Sequence, residues 1–160
     1  MAVKSRFGTS KSSFDAKRVI NGSYGEVWID GIEATEVTAL EAKIALTKQD
    51  IDQCRVFLTG SKIVGGKGTG TLKGLKVTSY FSLLVTDAIK KGRFPGITII
   101  SNLEDPDAYG AERVKFTGVT FDEVTLANWE VKKTGEQSVP FTFTDFDFID
   151  KIDISKLNRR

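Results

Sequence analysis

The stretch that most constrains the fold is residues 65–92, GGKGTGTLKGLKVTSYFSLLVTDAIKKG. Its first half is Gly, Thr and Lys with little bulk. Its second half carries the one convincing helical pattern in the chain. Phe81, Leu84, Val85, Ala88 and Ile89 recur at helical spacing and form one apolar stripe. Thr78 or Ser79 can accept from the free N–H groups of the first turn. Lys90 and Lys91 suit the negative end of the helix dipole, and Gly92 supplies a left-handed stop. The spacing therefore predicts a helix over 78–91. A single amphipathic helix cannot bury its stripe alone, so the remaining chain must supply a sheet for it to lie on.

The other segments supply that sheet. YGEVWID (24–30) alternates and runs into Asp30-Gly31, a type I′ hairpin signal. The return strand is expected over 32–46, with Leu40, Ala42, Ile44 and Leu46 on one face and Glu41 and Lys43 on the other. Turn residues at Gly60 and Gly65-Gly66 make 47–66 a long inter-strand loop, of the kind usually kept for function. Residues 67–77 follow as a strand of small residues, where glycine implies close backbone approach. Further strands are expected at 97–100, 113–121, 124–132 and 139–150. In 113–121 the apolar phase slips at Thr117-Gly118, and in 139–150 it slips near Thr144-Asp145; a β-bulge or bend does this. Residues 1–22 are polar without sustained period and are expected to be a mobile arm. The sum is a single domain over 1–160, mainly β: two packed antiparallel sheets, as a sandwich or open barrel, with one flanking α-helix.

Composition removes whole classes of chemistry. The 160 residues contain no histidine and one cysteine, Cys54. The usual general base, the Ser-His and Cys-His pairs and the commonest zinc ligand are thus absent. A single cysteine allows no internal disulfide and fits synthesis in a reducing compartment. Without a neighbouring base, Cys54 is expected to be a plain buried thiol. No apolar run approaches the roughly 18 residues of a membrane span, and the N-terminus has no apolar core of a secretory signal.

The remaining motifs fail on detail. A phosphate loop needs Gly, four residues and Gly-Lys-Ser/Thr; here Ser61 holds the first position and Gly68 the last. A dinucleotide fingerprint would need glycine where Lys73 stands. Asp145, Asp147, Asp150 and Asp153 lack the turn glycine and closing glutamate of a calcium loop, and Phe146 and Phe148 alternate between them as on a sheet face. No catalytic constellation, metal site or cofactor site is expected.

Charge is unevenly placed within a net of +2. Residues 53–86 contain no acid but include Arg55, Lys62, Lys67, Lys73 and Lys76, whereas residues 101–153 hold twelve acids against five bases. Two solvated surfaces of opposite sign are one reading. Complementarity between copies of the chain is another. A third is a small β-barrel binding module that takes nucleic acid through the basic run 55–76.

Certain stretches, in this order, also resemble a known family. WIDG (28–31), TALEAKI (38–44), TGSKIVGGKGTGT (59–71), LKVTSYF leading into the helix, and VPFTFTDFDF (139–148) are similar to the tail tube proteins of PBSX-type phage-like elements. The resemblance spans residues 21–149. It implies a structural protein with no enzyme activity and no cofactor. Six subunits would close into a ring, and rings would stack as the inner tube of a contractile phage tail or phage-tail-like bacteriocin. The implied partners are further copies, a surrounding sheath, and baseplate and terminator proteins. DNA could pass through the lumen without specific binding. Assembly would occur in the bacterial cytoplasm before incorporation into the particle. Under this reading Thr69, Thr71 and Lys73, with Glu41 and Lys43, are expected to line the lumen. Inter-subunit contact is expected from the basic stretch 55–67 to acids of a neighbour. Arg55, Lys62 and Lys67 would supply charge, and Val56, Phe57 and Leu58 would act as apolar anchors. Glu104, Asp105 and Asp107 are the first acceptors, and Asp145 and Asp147 the second choice.

Overall fold

A computed structural model of the chain describes residues 14–153 and residue 155. Eight strands and one α-helix follow in order: β1 (Gly25–Ile29), β2 (Ile32–Glu33), β3 (Val37–Ile51), β4 (Gly60–Leu75), α1 (Tyr80–Lys91), β5 (Ile97–Leu103), β6 (Glu112–Phe121), β7 (Glu136–Phe143) and β8 (Asp145–Asp150). The fold is mainly β and antiparallel with one helix, as expected.

The two halves of the sheet are parts of one hydrogen-bonded path, in the order β2-β1-β5-β6-β7-β4-β3, with β8 also on β6. Strand β6 joins them. Residues from Glu112 to Val119 pair with β5, those from Arg113 to Thr117 pair with β8, and Thr120 and Phe121 pair with β7. The change of partner falls at Gly118, which has φ 64°. An irregularity in the β5–β6 register accompanies it, with Ile97 opposite Val119 but Ile99 opposite Phe116. This is the expected phase slip. It lets Phe116 and Val119, three residues apart, both face the core. The second expected slip is the break between β7 and β8 at Thr144, whose N–H donates to the Thr117 carbonyl at 3.2 Å. Phe141 and Phe143 stay in the core, whereas Phe146 and Phe148 are largely exposed and continue the aromatic row edge to face. The core is sealed by Ile29, Leu72, Ile99, Val119 and Phe141.

Local signals hold where a special dihedral is needed. Asp30 and Gly31 both take positive φ, 50° and 82°, as a type I′ turn requires. Gly92 ends α1 with φ 63°, and its N–H reaches the carbonyls of Ala88 and Ile89. Ser79 is the N-cap but makes no side-chain cap bond. Thr78 Oγ1 instead accepts the Tyr80 N–H at 3.3 Å and donates to Glu36 at 2.8 Å.

Other expectations need correction. The return strand 32–46 is interrupted, because the chain leaves β1 after Glu33 and takes up β4 from Val37. The loop expected over 47–66 is a loop only at 52–59. Thr47 pairs with Gly65 and Ile51 with Gly60, so β3 and β4 run on as a two-stranded arm. Glycines 60, 65 and 66 signalled turns, but none takes positive φ. The strand expected over 124–132 is irregular chain, with Leu126, Trp129 and Val131 exposed and without a packed face. The helix stripe is only partly seated: Phe81 is buried, Leu84, Val85 and Ala88 are half-buried, and Ile89 is exposed. Of the arm expected over 1–22, residues 1–13 lie outside the described residues. From Asp15 onward the chain forms two short 3-10 turns, Ala16–Arg18 and Gly22–Tyr24.

Candidate functional site

Three surfaces carry the candidate residues. The first is the polar face of β3, β4 and β7. Alternation along β4 sends Gly68, Gly70, Leu72 and Gly74 to one side and Thr69, Thr71 and Lys73 to the other. On the inner side Gly68 lies opposite Phe143 and Gly70 opposite Phe141. A Cβ at either glycine would run into the facing phenyl ring, and at Gly70 would also come within 2.7 Å of the Glu41 carbonyl oxygen. These two glycines make room for core aromatics of the same subunit, and at Gly70 the close backbone approach expected of a strand glycine is that of Glu41.

On the outer side, Lys43 stands opposite Thr69 and Glu41 opposite Thr71. The five expected residues Thr69, Thr71, Lys73, Glu41 and Lys43 therefore share one face. Lys43 Nζ lies 3.6 Å from the Glu41 carboxylate. The face extends further than expected, since Thr142 is opposite Thr69, Pro140 opposite Thr71 and Ser138 opposite Lys73. The Thr120 and Thr142 hydroxyls are 2.9 Å apart. Alternation in SVPFTF, Ser138 to Phe143, already carried this signal: Val139, Phe141 and Phe143 turn inward while Ser138, Pro140 and Thr142 turn outward.

The second surface is the β3–β4 arm. At its tip Val56, Phe57 and Leu58 stand in solvent, Phe57 at 100% exposure. The tip is organised: Thr59 Oγ1 donates to Asp52 at 2.9 Å, the Val56 N–H reaches the Gln53 carbonyl, and Arg55 takes φ 67°. Cys54 is exposed here, not buried as expected, because none of the described residues outside the tip covers it. Lys62 and Lys67 sit on the strand, opposite Gln49 and Ala45, and not in a loop. The basic run 55–76 is thereby spread along the whole of β4.

The third surface is the turn after β5. Glu104 and Asp107 are exposed, but Asp105 is only 7% exposed. Its two oxygens accept the N–H groups of Asn21 and Asp107, each at 2.9 Å. Arg18 donates to the Asp107 carbonyl and lies over the Tyr109 ring. Asp105 thus ties the segment before β1 to this turn and is not a free surface acid, which corrects its place among the expected acceptors. Asp145 and Asp147, the second choice, face β6, where Asp147 is opposite Lys115; next to them Arg113 meets Asp150 at 3.4 Å. Asp145 accepts the Phe146 N–H at 2.9 Å, and the ion pair beside these two acids is that of Asp150.

The three surfaces are thus a long edge strand with a polar face backed by a sealed core, an exposed apolar tip and an acidic turn. Comparison with known structures places the fold. The fold matches the sheath-tube complex of an extracellular contractile injection system, PVC, with a TM-score of 0.64 at 9% identity over 81% of this chain and 90% of the other. It also matches a chain of the six-fold-symmetrised baseplate of the anti-feeding prophage, with a TM-score of 0.57 at 5% identity over 78% and 90%.

Sequence comparison gives the family. A family model described as phage tail tube protein matches residues 12–150. The phage-like element PBSX protein XkdM of Bacillus subtilis (strain 168) is 37% identical over 139 residues, 86% of this chain and 95% of its own. The chain belongs to the phage tail tube protein family and is a structural component of a phage tail or related particle.

Proposed function

We propose that this chain closes into hexameric rings and that the rings stack into the hollow inner tube of a contractile tail. The observation that carries this reading is the outer face of β3, β4 and β7. It is lined by Glu41, Lys43, Thr69, Thr71, Lys73 and Thr142, while its reverse side forms the phenylalanine core. A channel wall needs such a face, polar and free of large apolar patches. Strand β3 supports the reading from the side, because it is fifteen residues long and, among the described residues, bonded only to β4. An edge of that length is a template for a further chain. The six-fold symmetry of the anti-feeding prophage assembly supports the ring number. Sheath protein on the outside, baseplate and terminator proteins at the ends, and assembly in the cytoplasm complete the proposal. A ring and a stack both use heterologous contacts, which do not self-limit along the axis. Lys62 and Lys67 on the arm are assigned to Glu104 and Asp107 of a neighbouring copy.

Electron microscopy and size-exclusion chromatography of the purified chain test the reading. Hollow rings or tubes of six-fold symmetry are expected. A monomer at every concentration and salt level would refute it.

A further inference from the structure

Between α1 and the sheet lies a cavity of about 620 Å³ that the helix leaves open. Ile97 and Val119 form its buried floor, Leu84 and Ala88 its helical wall, and Phe94 and Phe121 its sides. The stripe of α1 is half-seated here, so its apolar surface faces a cavity that none of the described residues fills. The rim carries both signs: Asp30 and Asp87, with Lys91 and Arg93.

The arm tip has the converse shape. Phe57 projects fully, and Leu58 largely, from an organised turn, with Asp52 and Arg55 nearby in sequence. None of residues 52–59 lines the cavity of its own subunit. A two-stranded hairpin is at best marginally stable in water alone, so the arm needs a second surface.

From these two features we propose that the cavity under α1 is the socket for the arm tip of another copy, with Phe57 seated against Ile97 and Phe121. Each charge at the tip then has its opposite on the rim: Arg55 faces Asp30 and Asp87, and Asp52 faces Lys91 and Arg93. The contact is knob-to-socket and heterologous, so every subunit gives one tip and receives one. Aromatic anchors in desolvated pockets carry most of the affinity of an interface. The inference rests on the tube reading and specifies one of its contacts; the arm's Lys62 and Lys67 lie further down the strands and serve a separate contact.

Cys54 provides the test, since it is the only cysteine and lies beside the knob. Asp87→Cys places a second thiol on the socket rim. Under mild oxidation or with a short bis-maleimide, assembled Asp87→Cys protein should give a ladder of covalent multimers. The same protein with Cys54→Ser should give none. Glu26→Cys, beside a different cavity, should link several-fold less. Phe57→Ala should raise the concentration needed for assembly by about tenfold or more. If tubes form but Asp87→Cys links no better than Glu26→Cys, or if its ladder survives Cys54→Ser, the socket is filled by something else, such as residues 1–13, and the inference fails while the tube reading stands. If the chain is monomeric throughout, both fail.

Discussion

The side chain of Thr144 occupies the place where a Cβ on Gly118 would stand. Gly118 also has φ 64°, so glycine is required there twice over, by sterics and by backbone. This point is where β6 leaves β8 for β7, and Thr144 Oγ1 reaches the Thr117 carbonyl at 3.3 Å. Gly118→Ala should therefore cost about 2–4 kcal/mol, combining left-handed strain with overpacking. Adding Thr144→Ala should recover the overpacking part and leave the strain. Urea unfolding of the two variants checks this, and equal loss in both would disprove the clash.

Gly70 makes a separate case. Its missing side chain leaves room for the buried Phe141 ring on one side and the Glu41 carbonyl on the other. Neither can retreat, so Gly70→Ala should destabilise the subunit by about 1–3 kcal/mol or more. Gly65, five residues earlier, has nothing within 4 Å of its hypothetical Cβ. Gly65→Ala should stay within about 0.5 kcal/mol of the parent. A comparable loss at both sites, measured on dispersed subunits, would mean the Phe141 fit is not the cause.

Asp105 joins residues far apart in sequence. Asp105→Ala strands the N–H groups of Asn21 and Asp107 in a half-closed site, at a cost of about 1–3 kcal/mol. The effect should be local, with faster amide exchange at Asn21 and Asp107 and an unchanged core. Glu104→Ala, at an exposed position next door, should change neither exchange nor stability measurably.

These residues also show what the sequence could and could not reveal. The turn at Asp30-Gly31, the stop at Gly92 and the slips at Gly118 and Thr144 were legible because each needs a special dihedral or breaks a period of two. The polar face was legible in part, as alternation fixes which residues share a side once a strand is assumed. The length of β3 and β4 was not, since Gly60, Gly65 and Gly66 are turn formers by propensity yet stay extended when paired across a ladder. Trp129 and Val131, in the strand expected over 124–132, alternate as a strand does, but alternation alone cannot say whether a segment pairs, and both are exposed. Asp105 looked like its acidic neighbours because burial of one carboxylate in three depends on Asn21, more than eighty residues away. The cavity under α1 had no sequence signature, because its stripe is apolar whether or not the sheet fills it.

Tyr80 gives a pH dependence. Burial, and then the charge of Asp30, hold its phenol above its ordinary value of 10.0. The folded subunit thus keeps the proton at pH values where the unfolded chain has lost it. Its contribution is constant below about pH 10 and falls as pH rises from there through the folded value. Tyr80→Phe should remove that part of the alkaline loss and leave stability at neutral pH little changed. Denaturation series at neutral and alkaline pH, for parent and variant, check the sign; a Tyr80→Phe curve that falls as steeply as the parent's would refute it.

The last prediction concerns the charges that the arm carries toward a neighbour. Lys62 and Lys67 are exposed on β4, and Glu104 and Asp107 are exposed in the turn after β5. Asp105 between those acids is already engaged, so a swap that includes it would damage the fold and mislead. Lys62→Glu with Lys67→Glu should shorten tubes while leaving the subunit folded. Each exposed pair contributes only about 0–1 kcal/mol, so the effect must come from repetition around a ring and should fade with added salt. Adding Glu104→Lys and Asp107→Lys to the same chain should restore length, because the pairing is then present with its signs exchanged. Tube lengths by electron microscopy at low and moderate salt give the answer. A fourfold variant no longer than the double variant would break the assignment of these pairs. The ring, the stack and the Phe57 socket would not be touched by that result, since each rests on other residues.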